Sequence, residues 1–159
     1  MANESVCADI LRTMVDRGLT LSTAESCTSG RIAASLTQIS GASDYFQGGL
    51  VAYQDRLKIQ YLGVSASDIQ QYDVVSRQVV EQMVRGACAM FGTDCAIAST
   101  GYAGTGCNGI PDGTIWIGWG RADDVHSLML TGDNGREANT ANAAAQALLH
   151  FFEYIEKDY

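Results

Sequence analysis

The stretch LTLSTAESCTSGRIAASLTQI, Leu19–Ile39, changes its pattern halfway along. LTLSTA reads as a short strand, and TSGRIAASLTQI reads as a helix with Ile32, Leu36 and Ile39 on one face and Thr28 as its N-cap. Between them Ser22, Thr23, Glu25, Ser26, Cys27, Thr28 and Ser29 crowd the handover. A polar turn where a strand passes into a helix is either a well-capped loop or the seat of a nucleophile. The N–H groups and positive end of the following helix would favour a developing oxyanion or a phosphate. Read locally, Ser26, Thr28 and Ser29 cap the helix, and a nucleophile needs a base from elsewhere in the chain.

Outward from this turn, helices and strands alternate. Val6, Ile10, Leu11, Met14 and Val15 recur at helical spacing and stop at Gly18. FQGGLVAYQ reads as a second strand, and DRLKIQYLG as a short helix ending at Gly63. Ser76 can cap a longer helix whose apolar face is Val79, Val80, Met83, Val84, Ala87, Met90 and Phe91, closed by Gly92. DCAIAST is a nearly continuous apolar strand of the kind covered on both faces. GTIWIGWG and VHSLMLTG read as neighbouring strands. A last helix places Ala141, Ala144, Ala145, Leu148, Leu149, Phe152 and Ile155 on its buried side. This order predicts a single domain over residues 1–159, an α/β fold with a three-layer α/β/α sandwich and a mixed sheet.

Composition narrows the function classes. The 159 residues are 47% apolar and 18% charged, enough to bury a core without disulfides or metals. Five cysteines, odd in number and without CxxC spacing, read as reduced thiols of a cytoplasmic protein. His126 and His150 lie far apart and show no ligand-like spacing, so no metal is expected. The start of the chain lacks the basic-then-apolar pattern of a signal peptide, and no apolar run is long enough for a membrane helix. The net charge of −8 offers no basic face for phosphates, so nucleic acid is not an expected partner.

Ligands of open α/β sheets bind beyond the carboxyl ends of the strands. Two segments belong there: Thr23–Gly30, and the glycine-rich STGYAGTGCNGIPDGT, Ser99–Thr114. The second matches neither the Walker loop nor the dinucleotide fingerprint, and by itself reads equally well as a phosphate cradle or a flexible turn. A serine–histidine triad would have to recruit a histidine remote from both loops. Lysine occurs only at Lys58 and Lys157. Lys58 follows the second strand and, stripped of water, could take a hydroxyl proton. In water it would be an ordinary exposed helix residue.

TAESCTSG, VAYQDRLKIQYLGV, STGYAG and DGTIWIGW, in this order and at these separations, resemble the CinA C-terminal-domain family over almost the whole chain, from about Asn3 to Glu156. That family includes nicotinamide-nucleotide amidases, which convert nicotinamide mononucleotide to nicotinic acid mononucleotide and ammonia in pyridine-nucleotide salvage. The resemblance implies a cofactor-free amide hydrolysis. Ser26 would be the nucleophile, Lys58 the base and then the acid toward ammonia, and Tyr53 their companion. Glu25, Cys27, Thr28, Thr100, Gly101, Ala103, Gly104 and Arg136 would hold the substrate, with N–H groups near Ser26 and Gly101 on the oxyanion. Cys27 is the competing nucleophile. The chain departs from the family pattern at Ser29, where a glycine is usual, across Thr105–Asp112, where Thr105 and Ile110 replace a proline and a lysine, and at Thr140, which replaces an arginine. These departures leave room for a second expectation: a catalytically silent member that binds a nucleotide or a protein. Many family members join this domain to an N-terminal one, and only the amidase-like part is expected here. A compact domain with little loop cover over its crevice would be well served by a dimer. Although the family name evokes competence and DNA damage, the acidic balance argues against a DNA-binding role.

Overall fold

The structure, a computed structural model, describes residues 2–158. The chain runs α1 (Ala2–Asp16), β1 (Leu21–Glu25), α2 (Arg31–Thr37), a single 3₁₀ turn (Ala42–Asp44), β2 (Phe46–Val51), α3 (Asp55–Leu62), α4 (Ala66–Tyr72), α5 (Arg77–Phe91), β3 (Cys95–Gly101), β4 (Ile115–Arg121), β5 (Asp124–Leu130) and α6 (Arg136–Asp158). The strands form one sheet in the order β2-β1-β3-β4-β5. β1 pairs parallel with β2 and β3, and the β3–β4 and β4–β5 pairs are antiparallel. The expected mixed sheet of a three-layer sandwich is therefore present.

Side-chain size on β3 sets the two helix layers. Cys95 and Ile97 point to one face, where they join Leu21, Ile115, Ile117 and the buried sides of α1, α2 and α6. Ala96 and Ala98 point to the other face with Ala24, against Val80, Met83 and Val84 of α5. The small residues let α5 lie close: a Cβ added at Gly118 of β4 would come within 3.1 Å of Val84. Gly86 does the same between helices, since a Cβ there would sit 2.1 Å from the carbonyl oxygen of Leu62. α3 is thereby pressed end-on against α5.

Four local expectations are corrected. α2 begins at Arg31, after Gly30 in a left-handed conformation, and no side chain of the cap residue bonds its first turn. Thr28 is not its N-cap: the Thr28 hydroxyl donates to Glu25, and it is Glu25 that accepts the helix N–H groups. On α5, Ser76 does cap Val79 N–H, but Met90 is exposed, while the next residue, Phe91, packs against Gly48 of β2. On α6 the buried stripe is Ala143, Ala144, Ala147, Leu148, Phe151, Tyr154 and Ile155, while Leu149 is exposed. The helix is covered both by the sheet and by α1 and α2, so its buried face is wider than one stripe and rotated from the expected one. α4, held by Ser65 as N-cap, was absent from the sequence reading because none of its residues is buried.

Among the described residues no helix is long and apolar enough to cross a membrane. Between β1 and β2 the chain passes over the α2 face. Between β2 and β3 it returns over the α5 face, past β1. The connections diverge at the carboxyl ends of β1 and β3, which is where a crevice opens in such sheets. In an exposed helix, Gly→Ala stabilises by about 1 kcal/mol. For Gly86→Ala the sign should reverse, with a loss of about 1–3 kcal/mol from the clash with the α3 carboxyl end. Urea-unfolding midpoints check it, and a midpoint that rises would refute the close helix contact.

Candidate active site

A cleft of about 170 Å³ lies at the carboxyl ends of β1 and β3, walled by Ser26, Cys27, Lys58, Thr100, Gly101 and Arg136, among others. The turn bearing Ser26 is built around a buried carboxylate. Glu25 Oε1 accepts the Thr28 hydroxyl at 2.6 Å and the Ile32 N–H at 2.9 Å, and Oε2 accepts the Ala33 N–H at 3.0 Å. Its negative charge meets the positive end of α2, so burial is compensated by three donors and a favourable dipole. Since Thr28 gives its one hydroxyl proton to Glu25, the 2.6 Å contact with Ser99 must be donated by Ser99. Ser99 in turn receives the Ser26 N–H at its hydroxyl (3.3 Å) and at its carbonyl (3.1 Å). A single chain of bonds thus runs from the end of β3 through the serine turn to the first turn of α2.

This arrangement alters the expected oxyanion chemistry. The first-turn N–H groups of α2 at Ile32 and Ala33 are engaged by Glu25, and the N–H of Ser26 by Ser99. In the turn itself, the N–H groups of Cys27 and Thr28 have no acceptor on another described residue. They are the donors left beside Ser26.

Lys58 is 1% exposed, which decides against the solvent-facing helix residue. Its Nζ donates to the carbonyl oxygen of Tyr53 at 3.2 Å and stands 3.8 Å from Asp55 Oδ1. Burial pulls the Lys58 ammonium below its ordinary value of 10.5, while the half-exposed Asp55 and the nearby Cys27 act in the opposite direction. Burial also pushes the Cys27 thiol up to about 11, so near neutral pH it is a thiol rather than a thiolate. The Ser26 side chain is 8% exposed and its hydroxyl is not bonded to Lys58 or to any other described residue. Base and nucleophile share one cleft without touching. Unliganded sites often hold such pairs apart until a substrate draws them together.

Of the residues expected at the site, Ser26, Cys27, Tyr53, Lys58, Thr100, Gly101 and Arg136 line the cleft. Tyr53 reaches Lys58 through its carbonyl, and its ring is exposed. Glu25, Thr28, Ala103 and Gly104 do not line it. The first two hold the turn. Gly104 makes room for Arg136, whose Nη2 would lie 2.8 Å from a Cβ added there. Asn139 fixes this corner by donating to Ala103 O at 2.8 Å and accepting the Asn134 N–H at 3.0 Å. Thr140 is buried, with its hydroxyl bonded back to Arg136 O and Glu137 O, so it faces the helix and no ligand.

Sequence reasoning missed Asp55, Val74, Val75 and Tyr102, all of which face the cleft. Asp55 stands three residues before Lys58 on one helix, a spacing that does bring side chains together, and could have been found. The other three are delivered by tertiary packing. The histidines are elsewhere: His126 and His150 stack on Trp119, with ring centroids at 6.2 and 5.0 Å. Trp119 is four positions along β4 from Ile115, the residue opposite Gly101, which places it roughly 13 Å from the cleft end of the sheet. Among the described residues no three His, Cys, Asp or Glu side chains are grouped as a metal site.

The cleft sits at a sheet switch point and brings together a serine, a buried lysine and a half-exposed aspartate. Residues 3–155 match the model of the CinA C-terminal domain, and the chain belongs to that family. It is 42% identical over 134 residues to the nicotinamide-nucleotide amidohydrolase PncC of Pseudomonas putida, covering 81% of this chain and 84% of that protein. It is 38% identical over 148 residues to a CinA-like protein of Flavobacterium psychrophilum, covering 92% of this chain and 35% of the relative. The chain thus spans about a third of the length of such CinA-like relatives. The crystal structure of a competence damage-inducible protein from Klebsiella pneumoniae superposes with a TM-score of 0.94 at 31% identity, over 99% of both chains. A competence/damage-inducible protein from Agrobacterium tumefaciens gives 0.92 at 32% identity, over 99% of this chain and 97% of that one.

Replacing Glu25 by Ala leaves two buried helix N–H groups and the Thr28 hydroxyl without an acceptor. The expected loss of stability is about 3 kcal/mol. Chemical denaturation measures it, and a loss below about 0.5 kcal/mol, the range of ordinary surface changes, would show that the turn does not depend on this carboxylate.

Proposed function

We propose that the protein hydrolyses the carboxamide of nicotinamide mononucleotide to nicotinic acid mononucleotide and ammonia, using Ser26 and Lys58. The observation that carries the reading is the burial of Lys58 in the same cleft as Ser26, where desolvation lowers the pKa of the ammonium and so favours the neutral amine. Similarity to a protein named as a nicotinamide-nucleotide amidohydrolase supports the choice of substrate.

In this reading Ser26 Oγ attacks the amide carbon and Lys58 Nζ takes its proton. The N–H groups of Cys27 and Thr28 receive the negative oxygen of the tetrahedral adduct. When the adduct collapses, the C–N bond breaks and Lys58 returns its proton to the departing nitrogen, releasing ammonia and leaving an ester on Ser26. Water then attacks that ester with Lys58 again as base, which frees the carboxylate product and restores the serine. Arg136, exposed at the rim and without an acidic partner among the described residues, would attract an anionic substrate. The proposed partner is a small nucleotide and not DNA, in keeping with a net charge of −8.

Ser26→Ala and Lys58→Met should each remove nearly all ammonia release, and the double variant should be little worse, since the two groups act as one unit. Lys58→Arg should be equally inactive because a guanidinium keeps its proton. Cys27→Ala should retain activity. Substantial turnover by Lys58→Arg would remove lysine as the base, and nucleotide-induced stabilisation without any ammonia would favour a binding-only member of the family.

The pH dependence follows from the lowered Lys58 pKa. The rate requires the neutral amine, so kcat/KM should rise with pH through an apparent pKa below 10.5. Asp55→Asn removes a charge that holds this pKa up, so the rising limb should move to lower pH; no movement would take Asp55 out of the electrostatics of the site. Stability has a matching sign. The folded-state pKa lies below the unfolded one, so the unfolded chain binds more protons between them, and the folding cost of this group persists at neutral pH and fades as pH rises toward the unfolded value. Lys58→Met should therefore be more stable than the wild type, by about 1 kcal/mol, while inactive.

A further inference from the structure

Asp73 takes no part in the chemistry above, yet it is one of three non-glycine residues with positive φ among those described. It ends α4 at φ 78° and ψ 155°, a region populated almost only by glycine. Its carboxylate supplies what holds it there. Oδ1 accepts the Val75 N–H at 2.9 Å and the Tyr102 hydroxyl at 2.8 Å, and Oδ2 accepts the side-chain amide of Asn108 at 2.8 Å. One side chain of the α4–α5 turn therefore grips the glycine-rich loop at two points. A third tie runs from the Thr100 hydroxyl to Val74 O at 3.0 Å. Burial and the neighbouring Asp73 both raise the Tyr102 pKa, which keeps its hydroxyl a donor across the working range.

The gripped pieces are walls of the cleft: Val74, Val75 and Tyr102 all face it. Val75 also faces a second, larger groove of about 620 Å³, bounded by Tyr72, Trp116, Met129, Ile110 and Pro111. Ile110 and Pro111 follow directly on the part of the loop that Asn108 ties down. The two spaces adjoin at Val75, and the Asp73 contacts fix the position of the loop that borders both.

We propose that Asp73 is a specificity-determining latch: by pinning Tyr102 and Asn108 it keeps the reaction cleft apart from the larger groove, so the site favours a mononucleotide-sized amide over a dinucleotide carrying the same carboxamide. This rests on the amidase reading. With the latch released, the loop can swing away. The mononucleotide then loses a wall, and the extended molecule gains the room of the groove.

The test uses wild type, Asp73→Gly and Tyr102→Phe, with nicotinamide mononucleotide as substrate and NAD as competitor. Asp73→Gly removes the latch while suiting the left-handed backbone, and the Tm of each variant is recorded beside its kinetics. Tyr102→Phe removes only the hydroxyl that reaches Asp73. In both, the ratio of the NAD inhibition constant to the KM for nicotinamide mononucleotide should fall at least tenfold. A merely structural Asp73 would leave that ratio within twofold in both variants whatever their Tm, and this result overturns the proposal. If the wild type releases no ammonia, it is the amidase reading that fails. The latch is then read from the dissociation constants of the two nucleotides: the same tenfold change in their ratio upholds it, and an unchanged ratio overturns it.

Discussion

The site depends first on the burial of Glu25. A carboxylate sealed among β1, β3 and α2 is tolerable only when its oxygens are saturated, and here two helix N–H groups and the Thr28 hydroxyl do this. The same bonds fix where α2 starts, and through Thr28 and Ser99 they fix the turn that carries Ser26. The glutamate at the end of β1 is thus an internal strut. Its cost is met locally by the helix it starts, which lets a seven-residue helix serve as a rigid support.

The second constraint is the placement of Lys58. An ammonium enters a protein interior only where packing around it is worth more than its lost hydration. The small residues that draw α3 and α5 together, Gly86 above all, supply that packing. Among the described residues, one carbonyl accepts a hydrogen bond from the amine and one half-exposed carboxylate stands within ion-pair reach of it. A tighter ion pair would hold the proton more firmly and make a poorer base. The weak compensation at Lys58 and the complete compensation at Glu25 are opposite solutions for two buried charges.

Much of the fold was legible in the residues. The alternation of helices and strands, the caps at Ser76 and Gly63, and the buried run of β3 follow from periodicity, from the hydrogen-bonding reach of serine and from the conformational freedom of glycine. α4 was not legible, because it buries nothing and leaves no apolar stripe. The face of α6 was read with its stripe rotated, since two layers share that helix and a single period cannot express both contacts.

For the site, the sequence by itself determined which chemical groups exist: one serine-rich turn, one lysine near it, two histidines far from it, and a glycine-rich loop after β3. The family resemblance paired Ser26 with Lys58. The assignment of work within the turn was decided only by tertiary structure. Thr28 looked like the cap and Glu25 like a ligand-binding group, yet the fold gives the helix to Glu25 and makes Thr28 its donor. Asp73, Tyr102 and Asn108, up to 35 residues apart, became one cluster only when α4 and the glycine-rich loop met over the cleft. Local sequence can specify a cap, a turn or a period, because these involve neighbours along the chain. The protonation of a buried amine, or the partner of a carboxylate, depends on what distant segments exclude or donate, and that is fixed only when the layers close.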